Sequence, residues 1–494
     1  MRLSRRQWML GAGLLAAGAW LGWPPEPEPV TLVPAGGTPF EWRQDARWDA
    51  LERRFVAARE AGCEAVAGAI EAGLQELRRE LDDLSAAAAG PDASSWDEAE
   101  RALFATAPLV AACPDALAEL ARLQGQLRDV AKRQSRSWDL ASRTARDRLY
   151  RVLHGSRAAL DEAILQAPGR LPEVLPGEDV PSRAPAAVVH GVRVHSGDLL
   201  LSRGTAPVSA LIARGSDYPG SFSHVALVHV APASGAVSVV EAHIERGVAV
   251  ASAETYLADA KWRIVVLRPR PELPPVRRNP LLPHRAASLA LAEAHARHIP
   301  YDFAMDAFDP ARMFCSEVAS WAYGLQGVRL WMGPSRISSP GLARWLGSFG
   351  VRHFESQQPS DLEADPQLAV VAEWRHPEGL WEDHLYSAVV EVMLEEAEGG
   401  AAVPMSRARL PLARLAKAWS WVLNRLGRVG PVPEGLSATA ALRSSEVGRV
   451  HRQRVERLQA SAEELARRQG YRPPYWQLVR LARADTSGAT HLVR

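Results

Sequence analysis

The sequence predicts an α+β protein in which an antiparallel sheet lies, in chain order, between two helical regions. From about residue 39 to residue 166, apolar residues recur at three- and four-residue steps, as in helices with one buried face. The middle of the chain carries short apolar or alternating runs separated by Gly, Pro, Ser and Asp, which is typical of antiparallel strands. The helical pattern returns at 384–398 and continues to 484.

The length and the changes in composition predict several parts. A chain of 494 residues is too long for one ordinary domain. Residues 167–185 are rich in Pro and Gly, and a second loop is expected at 356–366. We expect a signal or membrane anchor at 1–23, a Pro-rich linker at 24–38, a helical bundle at 39–178, a central α+β domain at 186–355 and a mainly helical C-terminal region at 366–494.

The composition is that of a globular protein. Hydrophobic residues make up 47% of the chain and charged residues 23%. The formal net charge is +1, so the sequence carries no electrostatic footprint for nucleic acid. We expect neither a nucleic-acid partner nor a cofactor.

The N-terminus has the organisation of an export signal. Three arginines within the first six residues precede an uncharged run from Gln7 to Trp23, and a Pro-rich stretch follows. Residues 4–10 resemble a bacterial twin-arginine signal, and 17–19 are small residues suited to cleavage. We expect an exported, periplasmic protein. Cleavage and retention of 8–23 as an inner-membrane anchor are both open, so the N-terminus could also associate with a membrane.

The three cysteines suggest one disulfide and one free thiol. An oxidising compartment permits a bridge, and Cys63 and Cys113 both lie in the predicted N-terminal helical region. Pairing these two leaves Cys315 as the odd thiol, which exported proteins rarely keep without a use.

Cys315 is expected at the start of a helix. Apolar residues follow it at helical spacing through residue 322. Backbone N–H groups in a first helical turn are unpaired, and the helix dipole there favours negative charge. A thiol at this position ionises more easily, and the same N–H groups could bind an oxyanion. An inert core cysteine is the alternative interpretation.

A hairpin over 223–243 is expected to bring histidine and glutamate together. Placing Val230 opposite Val237 sets the register of the two strands. His224 is then opposite His243, and Glu241 lies diagonally from His224 on the same face. A carboxylate behind an imidazole makes it a better base, and a cysteine at its other nitrogen would become an activated nucleophile.

Six short motifs follow one another through the central region. They are Gly197-Asp198-Leu199, Ser223-His224-Val225, Val240-Glu241-Ala242, Gly247-Val248, Tyr301-Asp302 and Phe314-Cys315-Ser316-Glu317. In this order they resemble the circularly permuted branch of the NlpC/P60 papain-like superfamily, the YiiX/YebB-like hydrolases. The resemblance covers about 186–345, and Phe314 stands where such families often have Tyr or Asn.

The resemblance implies a thiol hydrolase on a permuted papain-like fold. Cys315 would be the nucleophile, His224 the general base and acid, and Glu241 the third member of the triad. The implied reaction is hydrolysis of an amide bond, in either a cell-envelope peptide or an N-acyl or lipid substrate. Ser223, Tyr301 and Ser316 are candidates for contacting the substrate.

Two other classes of function compete with hydrolysis. The first is a zinc site made by His224, His243 and Cys315, although their spacing matches no common zinc pattern. The second is a non-catalytic envelope-binding module on a papain-like fold. The presence of all three catalytic residue types counts against that second interpretation.

Overall fold

The computed structural model describes residues 32–42, 45–376, 378–403 and 405–490. The predicted signal or anchor at 1–23 lies outside these residues, as does most of the predicted linker. The fold is α+β, with 55% helix and a large antiparallel sheet. Within the described ranges, every helix is too short or too polar to cross a bilayer.

Six helices form the N-terminal region and bury one stripe each. On the second of them, Leu77, Leu81 and Leu84 are almost fully buried at helical spacing. Within this predicted helical region, a π-turn at Arg151–Gly155 separates the fifth helix from the sixth. The helices are α1 Asp45–Ala61, α2 Cys63–Ala86, α3 Ser94–Ala112, α4 Leu117–Gln134, α5 Arg143–Tyr150 and α6 Ser156–Gln166.

Of the eleven strands in the described part of the chain, seven form one antiparallel sheet, in the order β1-β11-β8-β4-β5-β6-β7. The other four form two small two-stranded sheets, β2 with β3 and β9 with β10. The strands are β1 Val174–Pro176, β2 Ala186–Val189, β3 Val192–His195, β4 Leu199–Gly204, β5 His224–Val230, β6 Val237–His243, β7 Gly247–Ser252, β8 Lys261–Pro269, β9 Ser335–Arg336, β10 Glu355–Ser356 and β11 Leu368–Arg375.

Helices between and after the strands cover the sheet and complete the C-terminal region. Those of the middle of the chain are α7 Pro207–Arg214, α8 Ala253–Ala258, α9 Pro274–Arg278, α10 Leu282–Ala296, α11 Cys315–Gly324, α12 Pro340–Gly347 and α13 Pro359–Glu363. Those of the C-terminal region are α14 Gly379–Glu398, α15 Leu410–Arg425, α16 Ala438–Gln469 and α17 Tyr475–Thr490.

The sheet buries both faces. Val225 and Leu227 of β5 share an apolar cluster with α10 and α11. Ala226 and Val228 point the other way, into a second cluster that includes Tyr256 of α8. This alternation follows from the two-residue period of a strand, and it places α8 and α11 on opposite faces.

The structure differs from the sequence-based expectation at two places in the sheet. Residues 188–192, expected to form one strand, belong to β2 and β3, because His190 and Gly191 have positive φ angles of 43° and 79° and make the hairpin turn. The sheet also extends beyond the predicted domain at 186–355. β11 lies inside the sheet, between β8 and β1. β1 comes from the segment 167–185, which is rich in Pro and Gly.

Buried polar contacts fasten the N-terminal helices to the rest. Lys132 of α4 is fully buried and donates to the carbonyl oxygens of Glu363 and Asp365, the latter at 2.8 Å. Asp161 of α6 accepts from Arg263 of β8 at 2.6 Å. Burial lowers the pKa of Lys132 to about 7, although the Asp365 and Glu363 carboxylates act in the opposite direction.

Candidate active site

Cys315 is the first residue of α11, as the sequence predicts. Phe314 before it has extended backbone, and its N–H donates to the Glu317 carboxylate at 2.8 Å. The side chain of Glu317 therefore satisfies one N–H at the helix start and fixes how the chain enters it. Cys315 is 5% exposed, and its sulfur lies 4.0 Å from the Ser316 hydroxyl.

The hairpin has the predicted register. Val230 lies opposite Val237, and Glu241 lies opposite Ala226, two residues from His224 on the same face. His224 Nε2 donates to Glu241 Oε2 at 2.6 Å. This distance is in the range of a charge-assisted hydrogen bond, so the carboxylate holds the imidazole in one orientation.

Glu241 serves two histidines at once. Its second oxygen, Oε1, lies 3.0 Å from Nε2 of His243, and the carboxylate is almost fully buried. Burial alone would raise the pKa of Glu241, but the hydrogen bonds from His224 and His243 outweigh it and hold the pKa well below its ordinary value. The buried carboxylate is therefore ionised throughout the physiological range.

The thiol of Cys315 and the imidazole of His224 interact, and each shifts the pKa of the other. Because Nε2 of His224 faces Glu241, Nδ1 is the ring nitrogen left for the sulfur. Burial would lower the pKa of His224, but the bonds to Cys315 and Glu241 raise it to about 10. Burial would likewise raise the pKa of Cys315, but His224 and the Val225 N–H lower it. The geometry thus favours a thiolate–imidazolium pair.

The three side chains meet around the end of the sheet. α11 packs on the face that carries Val225, whereas Glu241 lies on the face that carries Ala226. His224 is the first residue of β5, so its ring can reach Cys315 on one side and Glu241 on the other. Solvent also reaches this end, where the side chains of His224 and His243 are 21% and 34% exposed.

Glu317 lies two residues after Cys315 in α11 without opposing the thiolate. Burial raises the pKa of this carboxyl to about 9, and the neighbouring carboxylates of Asp302 and Asp306 add to the effect, although the Phe314 N–H acts against it. Glu317 is therefore neutral near pH 7. A protonated carboxyl adds no negative charge beside the sulfur, which leaves the pKa of Cys315 low.

The three predicted substrate contacts differ in their surroundings. Tyr301 is buried near the sulfur; burial raises the pKa of Tyr301 well above its ordinary value, and the charge of Cys315 adds to this. Ser316 is fully buried beside the sulfur. Ser223 is directed away into β4, since its hydroxyl donates to the Ser202 carbonyl at 3.4 Å and accepts from the Gly204 N–H at 3.3 Å.

Tyr256 is a residue of the site that the sequence interpretation missed. It lies in α8 and is 2% exposed. Burial raises its pKa far above the ordinary value, and the charges of Glu241 and Cys315 add to this. Nothing in the local sequence marks Tyr256, because α8 reaches the site only through the fold of β6 and β7.

A large cavity lies apart from this site. It has a volume of about 800 Å³ and lies between the N-terminal helices and α14 and α17. Its wall is rich in aromatic side chains, including Trp42, Trp48, Phe104 and Trp476. None of Cys315, His224 and Glu241 lines it, so the cavity does not identify the reacting groups.

Comparisons with known proteins add no assignment. Neither a family model, nor a curated protein, nor a solved structure matches this chain. Among the residues that the structure describes, no three His, Cys, Asp or Glu side chains are arranged to hold a metal ion. The arrangement of Cys315, His224 and Glu241 therefore has to be interpreted from its own geometry.

Proposed function

We propose that the protein is a thiol hydrolase that cleaves an amide bond through Cys315, His224 and Glu241. One observation carries the proposal: Glu241 holds the His224 imidazole through a hydrogen bond of 2.6 Å, and His224 in turn interacts with Cys315 closely enough that each group shifts the pKa of the other. A thiolate, an imidazolium and an orienting carboxylate are the three groups that acyl transfer to sulfur requires.

The proposed reaction proceeds in two steps. The Cys315 thiolate attacks the substrate carbonyl, and the backbone N–H of Cys315 stabilises the oxyanion. His224 gives its proton to the leaving amine as the carbon–nitrogen bond breaks, which leaves an acyl-enzyme thioester. His224 then takes a proton from water, the resulting hydroxide attacks the thioester, and the acid product leaves as the thiolate re-forms.

The fold is compatible with the resemblance to the permuted NlpC/P60 branch. An antiparallel strand supplies the histidine before a helix supplies the cysteine, in the chain order expected of that branch. We therefore propose a permuted papain-like arrangement for the sheet, α10 and α11. The substrate class stays as the resemblance implies, a cell-envelope peptide or an N-acyl or lipid amide.

An exported location is part of the proposal. Cys63 and Cys113 form a disulfide, as their position in the sequence predicts, and disulfides persist in oxidising compartments. The N-terminal arginines, followed by a long uncharged run, support the same location. Fractionation of cells that express the tagged full chain tests it: recovery in the reducing cytoplasm, with both thiols free, would refute export.

The hydrolase proposal is tested by replacing Cys315. We expect Cys315→Ala to abolish turnover of peptidoglycan fragments or N-acyl lipids, whichever the wild type cleaves, with an unchanged circular dichroism spectrum. Iodoacetamide should modify wild-type Cys315 near pH 6, where an ordinary thiol is protonated. Ser320→Ala, on the same helix but outside the site, is the matched control and should retain turnover. Full turnover by Cys315→Ala would reject the mechanism.

A further inference from the structure

Helix α15 exposes a stripe of large apolar side chains. Leu412, Leu415 and Trp419 recur at three- and four-residue steps, and Leu426 continues the stripe just after the helix. These four residues are between 56% and 69% exposed. Contiguous exposed apolar stripes of this kind are uncommon on soluble proteins and mark interaction surfaces.

The opposite face of α15 is fixed to the protein. Leu410 and Ser420 are fully buried, and Ser420 Oγ accepts the Val432 N–H at 2.9 Å. Lys417 donates to the Pro433 carbonyl at 2.8 Å, and the helix packs against α16. Because these contacts hold the inner face, the apolar stripe is presented outward as a fixed surface.

The same segment is strongly basic. Residues 405–433 contain six basic residues and no acidic residue, although the whole chain has a formal net charge of only +1. Arg407, Arg409 and Arg428 are exposed at the two ends of the helix. Arg425 lies over the ring of Trp421, 4.4 Å from its centroid. The positive charge is therefore concentrated in the segment that carries the apolar stripe.

We propose that α15 docks onto an anionic lipid surface, with the stripe from Leu412 to Leu426 inserted at the headgroup level. A helix with an apolar face containing Trp and with cationic flanks is suited to lie in the plane of a membrane interface. Tryptophan favours the interfacial region, and basic side chains attract anionic headgroups.

A second copy of the chain is a poorer occupant for this stripe. In a symmetric dimer each patch would face itself, so the basic residues around one stripe would lie against those around the other. Like charges at an interface oppose association, whereas anionic headgroups would neutralise them. The charge distribution therefore favours a lipid surface over self-association.

The residues that follow the basic segment of α15 contact residues next to the candidate active site. Glu434, which follows the basic segment, lies 2.7 Å from His298. Gly435 packs directly against Tyr301 and Phe303, and Tyr301 lies beside Cys315. The docking proposal itself does not depend on chemistry at Cys315.

A fluorophore at the end of the stripe tests the proposal in the full chain. Leu426→Cys, in a Cys315→Ala background, is labelled with an environment-sensitive dye. We expect blue-shifted and stronger emission with vesicles that contain about a third anionic lipid, and little change with neutral vesicles. The same dye at Arg79→Cys, on the exposed side of α2, is the control. This local readout separates α15 from any lipid contact made by the N-terminus.

Two pairs of variants complete the test. The double variant Leu415→Ser with Trp419→Ser should reduce the emission gain at least ~fivefold. Its control, Val188→Ser with Leu325→Ser, removes exposed apolar residues elsewhere on the protein and should leave the emission gain unchanged. The double variant Arg425→Glu with Arg428→Glu should also reduce the emission gain. Its control, Arg53→Glu with Arg54→Glu on α1, should leave the emission gain unchanged. An emission gain no larger than at Arg79→Cys, or one that grows with protein concentration without vesicles, would overturn the proposal.

Discussion

His224 and Glu241 share a hydrogen bond of 2.6 Å between Nε2 and Oε2, at the end of the sheet where α11 begins. This contact determines which ring nitrogen is available to Cys315. It also supplies the negative charge that keeps the imidazole protonated beside the thiolate.

Glu241→Gln should raise the pKa of the Cys315 thiol and slow catalysis. An amide keeps the shape of the side chain but removes the charge that stabilises the imidazolium, so the thiolate–imidazolium pair is less favoured. We expect turnover to fall by about 100-fold or more. The rate of alkylation of Cys315 as a function of pH measures the thiol directly. His243→Gln, which removes the other partner of Glu241, should have a smaller effect on turnover. Equal losses of turnover in the two variants would contradict the role of the Glu241 charge in stabilising the imidazolium.

The pH profile of hydrolysis should be broad and should fall on its alkaline side near the His224 pKa. Because the pKa of Cys315 is lowered, the thiolate persists below the pH at which an ordinary cysteine is protonated. The pKa of His224 is raised to about 10, so the imidazolium can protonate a leaving amine until the pH approaches that value. A profile of kcat/KM against pH measures both limits. A loss of activity centred near pH 6.5 on the alkaline side would contradict the ion pair.

Glu317→Gln should make folding stability less sensitive to alkaline pH. The folded pKa of Glu317 is raised to about 9 from an ordinary value of 4.5, so the folded state holds a proton that the unfolded state releases. The wild type therefore loses stability as pH rises from about 4.5 through about 9. Glutamine lacks this proton and can still accept the Phe314 N–H. Denaturation at pH 5 and pH 8 should show the variant gaining at least ~1 kcal/mol relative to wild type.

Removal of the Cys63–Cys113 disulfide should destabilise the N-terminal helices. The two cysteines are separated by 50 positions in the chain, and α2 and α3 are held together by the bridge. In the chain-entropy description a loop of this length contributes about 4 kcal/mol. Denaturant unfolding of Cys63→Ala with Cys113→Ala measures the loss, and Cys315→Ala is the matched single-thiol control. Unchanged stability, or two thiols that alkylate without reduction, would argue against the bridge.

Local patterns were sufficient for the central hairpin and for α11. The alternation in 224–230 and 237–243, with a turn of fixed length between them, determines the register that puts His224 near Glu241. The helical spacing after Cys315 likewise predicts that it begins a helix. These are short-range features, since each depends on residues close together in the chain.

Other features depend on residues far apart in the chain. Nothing near 368–375 indicates that β11 lies inside the sheet beside β8 rather than outside the central domain. Tyr256 reaches the site only because α8 folds over the face that carries Glu241. The buried contacts of Lys132 with 363–365 also join distant segments, which a residue pattern read along the chain does not reveal.

By itself, the sequence determined the α+β class, the hairpin register and the candidate residues Cys315, His224 and Glu241, because periodicity and spacing along the chain encode local structure. Only the tertiary structure decided that these three meet around one end of the sheet. Their side chains approach from opposite faces, and packing of α11 against β5 brings them together. The pKa values of the thiol and the imidazole follow from that packing, since burial and hydrogen bonding exist only once the chain has folded.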